Sequence, residues 1–194
     1  MPVFVVNIMP NALSGETFQD SEPNLAVNPS NPLQIAASAF TRDPMGGANA
    51  PIYVSTDGGM TWALNSIVPS QPSQSWQPGT GDITVRFGTV TSILYAGILR
   101  LPDSLRMNIL RATSFTAATP MTVLVDRQGA GVDQPYIQAV TRLGGGGAGL
   151  DNVYVGNNDF NAAASRTATV DLSLDGAGAT PPPPSGFTTA RIET

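Results

Sequence analysis

The sequence predicts an all-β chain of three similar units, each made of four short antiparallel strands. Three observations carry that expectation. Turn residues are dense, with 20 glycines and 17 prolines among 194 residues. No stretch keeps an apolar 3.6-residue rhythm for three turns, so amphipathic helices are not expected. Three segments also repeat one pattern, an acid followed by alternating apolar residues, and a repeat of that length points to a modular β architecture.

The repeated segments are SEPNLAVNP at 21–29, GDITVRFG at 81–88 and VDQPYIQAV at 132–140. Their acids, Glu22, Asp82 and Asp133, stand 60 and 51 residues apart. Each repeat divides into four strand-like runs. The first holds 24–27, 33–40, 52–55 and 62–68; the second 83–87, 92–99, 107–113 and 121–125; the third 135–141, 152–157, 168–174 and 186–192. Turn clusters such as NPSNP, TDGG, GGGG and DGAG separate the runs. Four hairpin-linked strands per unit are one blade of a β-propeller, so blades are expected at about 21–69, 81–126 and 132–194. Residues 1–20 form an N-terminal arm with a candidate ring-closing strand at 3–8. Propellers close with about 4–8 blades, so three blades are half of a six-bladed ring. Further blades or a second chain are expected to close it, because open sheet edges and apolar faces are otherwise left bare.

Composition narrows the chemistry. Hydrophobic residues make up 41% and charged residues only 12% of the chain, which sets it apart from disordered segments despite the glycine and proline. The net charge is −5 and all nine cations are scattered arginines, so no nucleic-acid partner is expected. The absence of His and Cys removes imidazole, thiolate and zinc-thiolate chemistry. No cofactor is called for, and any metal would be a hard, oxygen-liganded ion such as calcium. The opening MPVFVVNIMP lacks a basic region and stops at Pro10, so it reads as a strand, with no signal peptide and no membrane insertion.

One octapeptide is more specific. Ser55-Thr-Asp-Gly-Gly-Met-Thr-Trp62 fits S-x-D-x-G-x-T-W at every defined position. Asp57 is suited to accept backbone N–H groups inside a hairpin turn, and Gly58 and Gly59 allow positive φ. Trp62 is expected to pack between neighbouring sheets. A degenerate copy starts at Ser173 and keeps Asp175, whereas the second repeat has Arg111-Ala-Thr-Ser at that place. On this motif the chain resembles the Asp-box (BNR) repeat propellers, the sialidase-like family. The resemblance covers residue 21 to about residue 192. It implies that Ser55, Asp57, Gly59, Thr61 and Trp62 are structural and face away from any ligand pocket.

The same blade geometry puts first-strand starts and second-strand ends at one mouth. Glu22, Asp82 and Asp133 are expected there, joined by Arg42, Asp43, Arg100, Asp103, Arg106, Asp159 and Arg166. Tyr136 is a further ligand-binding candidate, and Asp43, Asp82 and Asp133 are the catalytic candidates. Sialidases enter the first strand through Arg-Ile-Pro. Here Ser21-Glu22-Pro23 keeps the proline without the arginine, and an acid there repels a substrate carboxylate. The resemblance therefore implies a non-catalytic module of an exported or surface protein, extracellular or at the cell surface, that binds a glycan or other polar ligand or acts as a scaffold. The alternatives are a glycoside hydrolase with part of its site in further blades, and a structural subunit of a multi-chain surface assembly.

Overall fold

A computed structural model describes residues 5, 6, 8, 21–40, 52–65, 67–69, 80–100, 106–127, 131–161, 168–176 and 186–192. All twelve expected strands are present, and no α-helix occurs among the described residues. The first sheet holds β1 (Ser21–Val27), β2 (Ile35–Phe40), β3 (Ile52–Ser55) and β4 (Ala63–Asn65). The second holds β5 (Thr80–Phe87), β6 (Leu94–Arg100), β7 (Arg106–Ala112) and β8 (Thr122–Arg127). The third holds β9 (Val132–Thr141), β10 (Asp151–Asp159), β11 (Ala168–Ser173) and β12 (Thr188–Arg191). Each sheet is an antiparallel meander in chain order. Of the N-terminal arm only Val5, Val6 and Ile8 are described; none is in a strand, and Val5 is 96% exposed.

Alternation within the strands makes two seams. Ala26, Ala36, Ile52 and Val54 of the first sheet meet Ile83, Val85, Phe87 and Leu94 of the second. Phe87 packs edge-on to Phe115 with ring centres 5.1 Å apart. The opposite faces of β6 and β7, through Tyr95, Leu99 and Ile109, meet Ile137, Ala139, Val153 and Val155 of the third sheet. Period-two side-chain placement lets the middle sheet be apolar on both faces.

The first strand of each sheet is an edge, so half of its backbone groups lack a ladder partner. Side chains fill that role between sheets. Asn24 Oδ1 accepts the Val85 N–H at 2.9 Å. Thr84 Oγ1 accepts the Ile137 N–H at 3.0 Å and donates to the Pro135 carbonyl at 3.0 Å. Asn24 and Thr84 hold equivalent places in the repeat, so the same tie is made twice.

A buried polar knot joins the second and third sheets near the far ends of these strands. Asp151, fully buried, accepts the hydroxyls of Thr91 at 2.7 Å, Tyr95 at 2.8 Å and Thr141 at 2.5 Å. Burial and the Asp151 charge push the Tyr95 phenol upward, so it stays a donor. Gly88 lies against the knot, where a Cβ would come within 2.4 Å of Asp151 Oδ2.

The Ser55–Trp62 turn joins β3 to β4 as expected. Asp57 Oδ1 accepts the Thr61 N–H at 2.9 Å and the Ser55 hydroxyl at 2.8 Å, and Asp57 Oδ2 accepts the Thr61 hydroxyl at 2.5 Å. These donors, the Thr61 hydroxyl first, hold the Asp57 carboxyl down at about 2. Gly58 and Gly59 have φ of 75° and 89°. Trp62 departs from expectation. Its indole N–H bonds the Gly59 carbonyl at 2.9 Å and its ring lies against Gly59, so it covers its own turn and joins neither core cluster. The tight glycine pair leaves a flat surface within the ring's reach, which a neighbouring sheet does not have to supply. Among the described residues the degenerate copy keeps the contact of Asp175 N–H to Ser173 Oγ, at 3.3 Å.

Candidate functional site

The Gly58 N–H bonds the Leu33 carbonyl in the β1–β2 connection at 2.9 Å. The Asp-box turn and that connection therefore share one end of the sheet, and the start of β1 lies at the other. A bulge interrupts each first strand at this other end: Ser21 to Asn24 in β1, Thr80 to Ile83 in β5, and the stretch of β9 opposite Gly156 to Asn158. Bulges turn side chains out of their regular alternation. Glu22 and Gln134 have φ of 52° and 50°, each directly before a proline. Such backbone costs about 1–3 kcal/mol and persists only where neighbours enforce it.

These bulges line a pocket of about 590 Å³. The first strands contribute Glu22, Asn24, Asp82, Thr84, Gln134 and Tyr136. Asn157, Asn158, Ala168, Thr169 and Ile192 continue the wall across the third sheet. Tyr136 is 56% exposed, and the Arg86 guanidinium sits 5.8 Å from its ring centre. Asn158 Nδ2 donates to Gln134 Oε1 at 3.1 Å. Asn157 is held from behind: its Nδ2 donates to Asp171 Oδ2 at 2.9 Å, and its Oδ1 accepts the Thr169 hydroxyl at 2.7 Å. Asp171 is in turn paired with Arg127 and bound by the Thr189 hydroxyl at 2.5 Å. The wall is therefore built on a fixed polar layer.

The Asp82 carboxyl is pushed up from 3.8 to about 6, chiefly by burial. The neighbouring Glu22 charge and a hydrogen bond to the Glu22 carboxyl raise it further, and the charge of Asp133 adds to them. A carboxyl whose value is raised on folding stabilises the fold fully below its unfolded value, near 3.8, and that contribution is lost as pH climbs through about 6. Urea midpoints of the native chain are expected to fall between pH 4 and pH 7. Asp82→Asn is expected to flatten that slope, and an unchanged slope would exclude Asp82 as its source.

Three candidates from the sequence, Glu22, Asp82 and Tyr136, share this pocket. Asp133 stands one residue off the wall and accepts the Gln134 N–H at 3.0 Å. Gln134, not Asp133, is the equivalent of Glu22 and Asp82, because proline follows it as Pro23 follows Glu22. Asp159 is drawn away by Arg127, 3.5 Å distant. Arg100 is buried elsewhere, donating to Asn108 Oδ1 at 3.0 Å and to the Pro69 carbonyl at 2.7 Å. Burial lowers its guanidinium to about 10. Arg106 pairs with Asp126 on β8. Among the described residues the polar part of the wall is acids, amides and hydroxyls. Arg42, Asp43, Asp103 and Arg166 lie outside the described residues, as do 177–180 of the degenerate box.

Asn24, Thr84, Gln134, Asn157, Asn158 and Thr169 belong to the wall and were not legible as site residues. Aligning the repeats on proline, at spacings that put Gln134 level with Glu22, is the one signal that finds Gln134. Among the described residues no group of three or more acids is placed to hold a metal ion. No protein-family model matches the chain, and a search of curated proteins found no match.

Proposed function

We propose that this chain is a sialidase-like propeller module that binds a neutral glycan in the pocket without transforming it, as part of an exported or surface protein. The observation that carries the reading is the make-up of the wall. Carboxyls and amides offer paired acceptors and donors to sugar hydroxyls, and Tyr136 offers an exposed ring to a sugar face. The Asp-box turn at the opposite end supports the propeller reading, as do three four-stranded sheets packed in succession. With acids and no arginine among the described lining residues, a carboxylated sugar is disfavoured and a neutral one fits.

The test is calorimetry with neutral oligosaccharides selected on a glycan array. Asp82→Asn and Tyr136→Ala are each expected to weaken binding at least tenfold, about 1.4 kcal/mol. Binding that survives both substitutions would move the ligand elsewhere, and an array without hits would sink the reading.

A glycoside hydrolase is the second reading, favoured by the proton that Asp82 keeps up to about pH 6, as a general acid does. The partner argues against it. Glycosidase carboxyls stand about 5–5.5 Å apart in retaining enzymes and about 6.5–9.5 Å in inverting ones, whereas Glu22 and Asp82 share a hydrogen bond. A pair that close leaves no room for the anomeric carbon between them.

A further inference from the structure

The three bulges hold equivalent residues in different states. Glu22, Asp82 and Gln134 each stand where the first strand of their sheet loses register, with no ladder partner opposite. Each can therefore turn without breaking a strand pair. Gln134 is closed by an amide within its own sheet: Asn158 Nδ2 donates to its Oε1 at 3.1 Å, a bond that no proton controls. Glu22 of the first sheet and Asp82 of the second close on each other instead, carboxyl to carboxyl, and both line the pocket. Two carboxyls share a hydrogen bond only while one of them holds a proton. Glu22 is exposed and has a φ of 52° before Pro23, so that bond helps to hold a backbone the residue does not favour by itself. Other charges around the pair do not take over the role of the proton. On β5 itself, Arg86 is spent on Asn24 Oδ1 at 3.2 Å, the Val85 carbonyl at 2.7 Å and the Tyr136 ring. From β6, Arg100 stands opposite Thr80 but donates to Asn108 and to the Pro69 carbonyl. From β9 come the Tyr136 phenol and Asp133, whose charge adds to the repulsion, and β2 (Ile35–Phe40) brings no titratable side chain.

We propose that Glu22 and Asp82 form a latch on the pocket, shut while they share one proton and opened to ligand when that proton is lost. The ligand admitted is the neutral glycan proposed above, and that part of the inference rests on that reading. Shut, the two carboxyls satisfy each other and offer little to a sugar. Open, they repel, and each becomes a charged acceptor that a sugar hydroxyl relieves. Burial of Asp82 first, and then the Glu22 charge, sets the change near pH 6. Only the deprotonated pair binds, about one part in eleven of the chain at pH 5, so affinity there is about tenfold below its value at pH 7.5.

Nuclear magnetic resonance of the free chain tests the latch, and calorimetry with the neutral tetrasaccharide bound best on the array tests what it admits. The backbone amides of Glu22 and Asp82 should shift together with one midpoint near pH 6. The Asn158 side-chain amide, at the neutral counterpart, should stay still over the same range. Glu22→Gln, which copies Gln134, should keep the circular dichroism of the native chain and move that midpoint below pH 5. Its affinity for the sugar should no longer change between pH 5 and pH 7.5, whereas that of the native chain rises about tenfold. Separate midpoints for the two amides, or a midpoint near pH 6 that survives Glu22→Gln, overturns the latch. So does a native affinity that is flat across this range. A joint titration with no sugar bound at any pH supports the latch and fails the glycan reading alone.

Discussion

Asp151→Ala is expected to destabilise the chain by about 3 kcal/mol or more, read as a fall in the urea midpoint at pH 7 with an unchanged slope. The substitution removes a fully buried carboxylate and strands the hydroxyls of Thr91, Tyr95 and Thr141, three donors on two sheets. Each buried donor left unpaired costs about 1–3 kcal/mol. Tyr95→Phe removes only one arm of the knot and should cost about 1 kcal/mol. A loss below 1 kcal/mol in Asp151→Ala would mean that the third sheet is not anchored here.

Thr84→Val is the second large effect, about 2–3 kcal/mol of lost stability. Shape is nearly conserved, so packing changes little, yet the Ile137 N–H and the Pro135 carbonyl lose their shared partner. Thr84 is 8% exposed, which leaves water poorly placed to replace the hydroxyl. Thr84→Ser keeps the hydroxyl and is expected to recover most of the loss. If Thr84→Val matches the native chain in a urea titration, the inner strands are held by apolar contact alone.

These two positions also show where sequence reading stops. The twelve strands were legible because alternation and turn residues are local signals; TDGG and GGGG mark hairpins wherever they stand. The Asp-box was legible for the same reason, since its donors and acceptors lie within eight residues. Asp151 follows a glycine-rich loop and looks like one more turn residue. Its partner Thr91 is 60 residues away, so nothing near Asp151 announces burial. Arg100 was misread in the same manner: a cation at a strand end resembles a ligand contact until the carbonyl of Pro69, 31 residues earlier in the chain, is seen to occupy it.

The pocket was legible in half. Acids before first strands led to Glu22 and Asp82, and Tyr136 was a further candidate on the third of those strands. The bulge defeated the third step, since an inserted residue shifts facing by one and turned the reading from Gln134 to Asp133. Asn157, Asn158 and Thr169 lie at the ends of β10 and β11, where amides and hydroxyls are ordinary. Only the packing of the third sheet, with Asp171 and Arg127 behind Asn157, gives them a fixed direction.

The Asp-box turn keeps its own hydrogen bonds at the pole opposite the pocket. Ser55, Asp57 and Thr61 settle how β3 returns as β4 without drawing on any group in the pocket. Selection could therefore redraw Glu22, Asp82 and Gln134 at the ligand-facing pole, where Asn24, Thr84 and Asn157 are committed to holding the sheets, while the Asp-box hairpin keeps its chain path. New specificities on this scaffold would come from the bulge residues, with Asn24 and Thr84 kept for the ties between sheets.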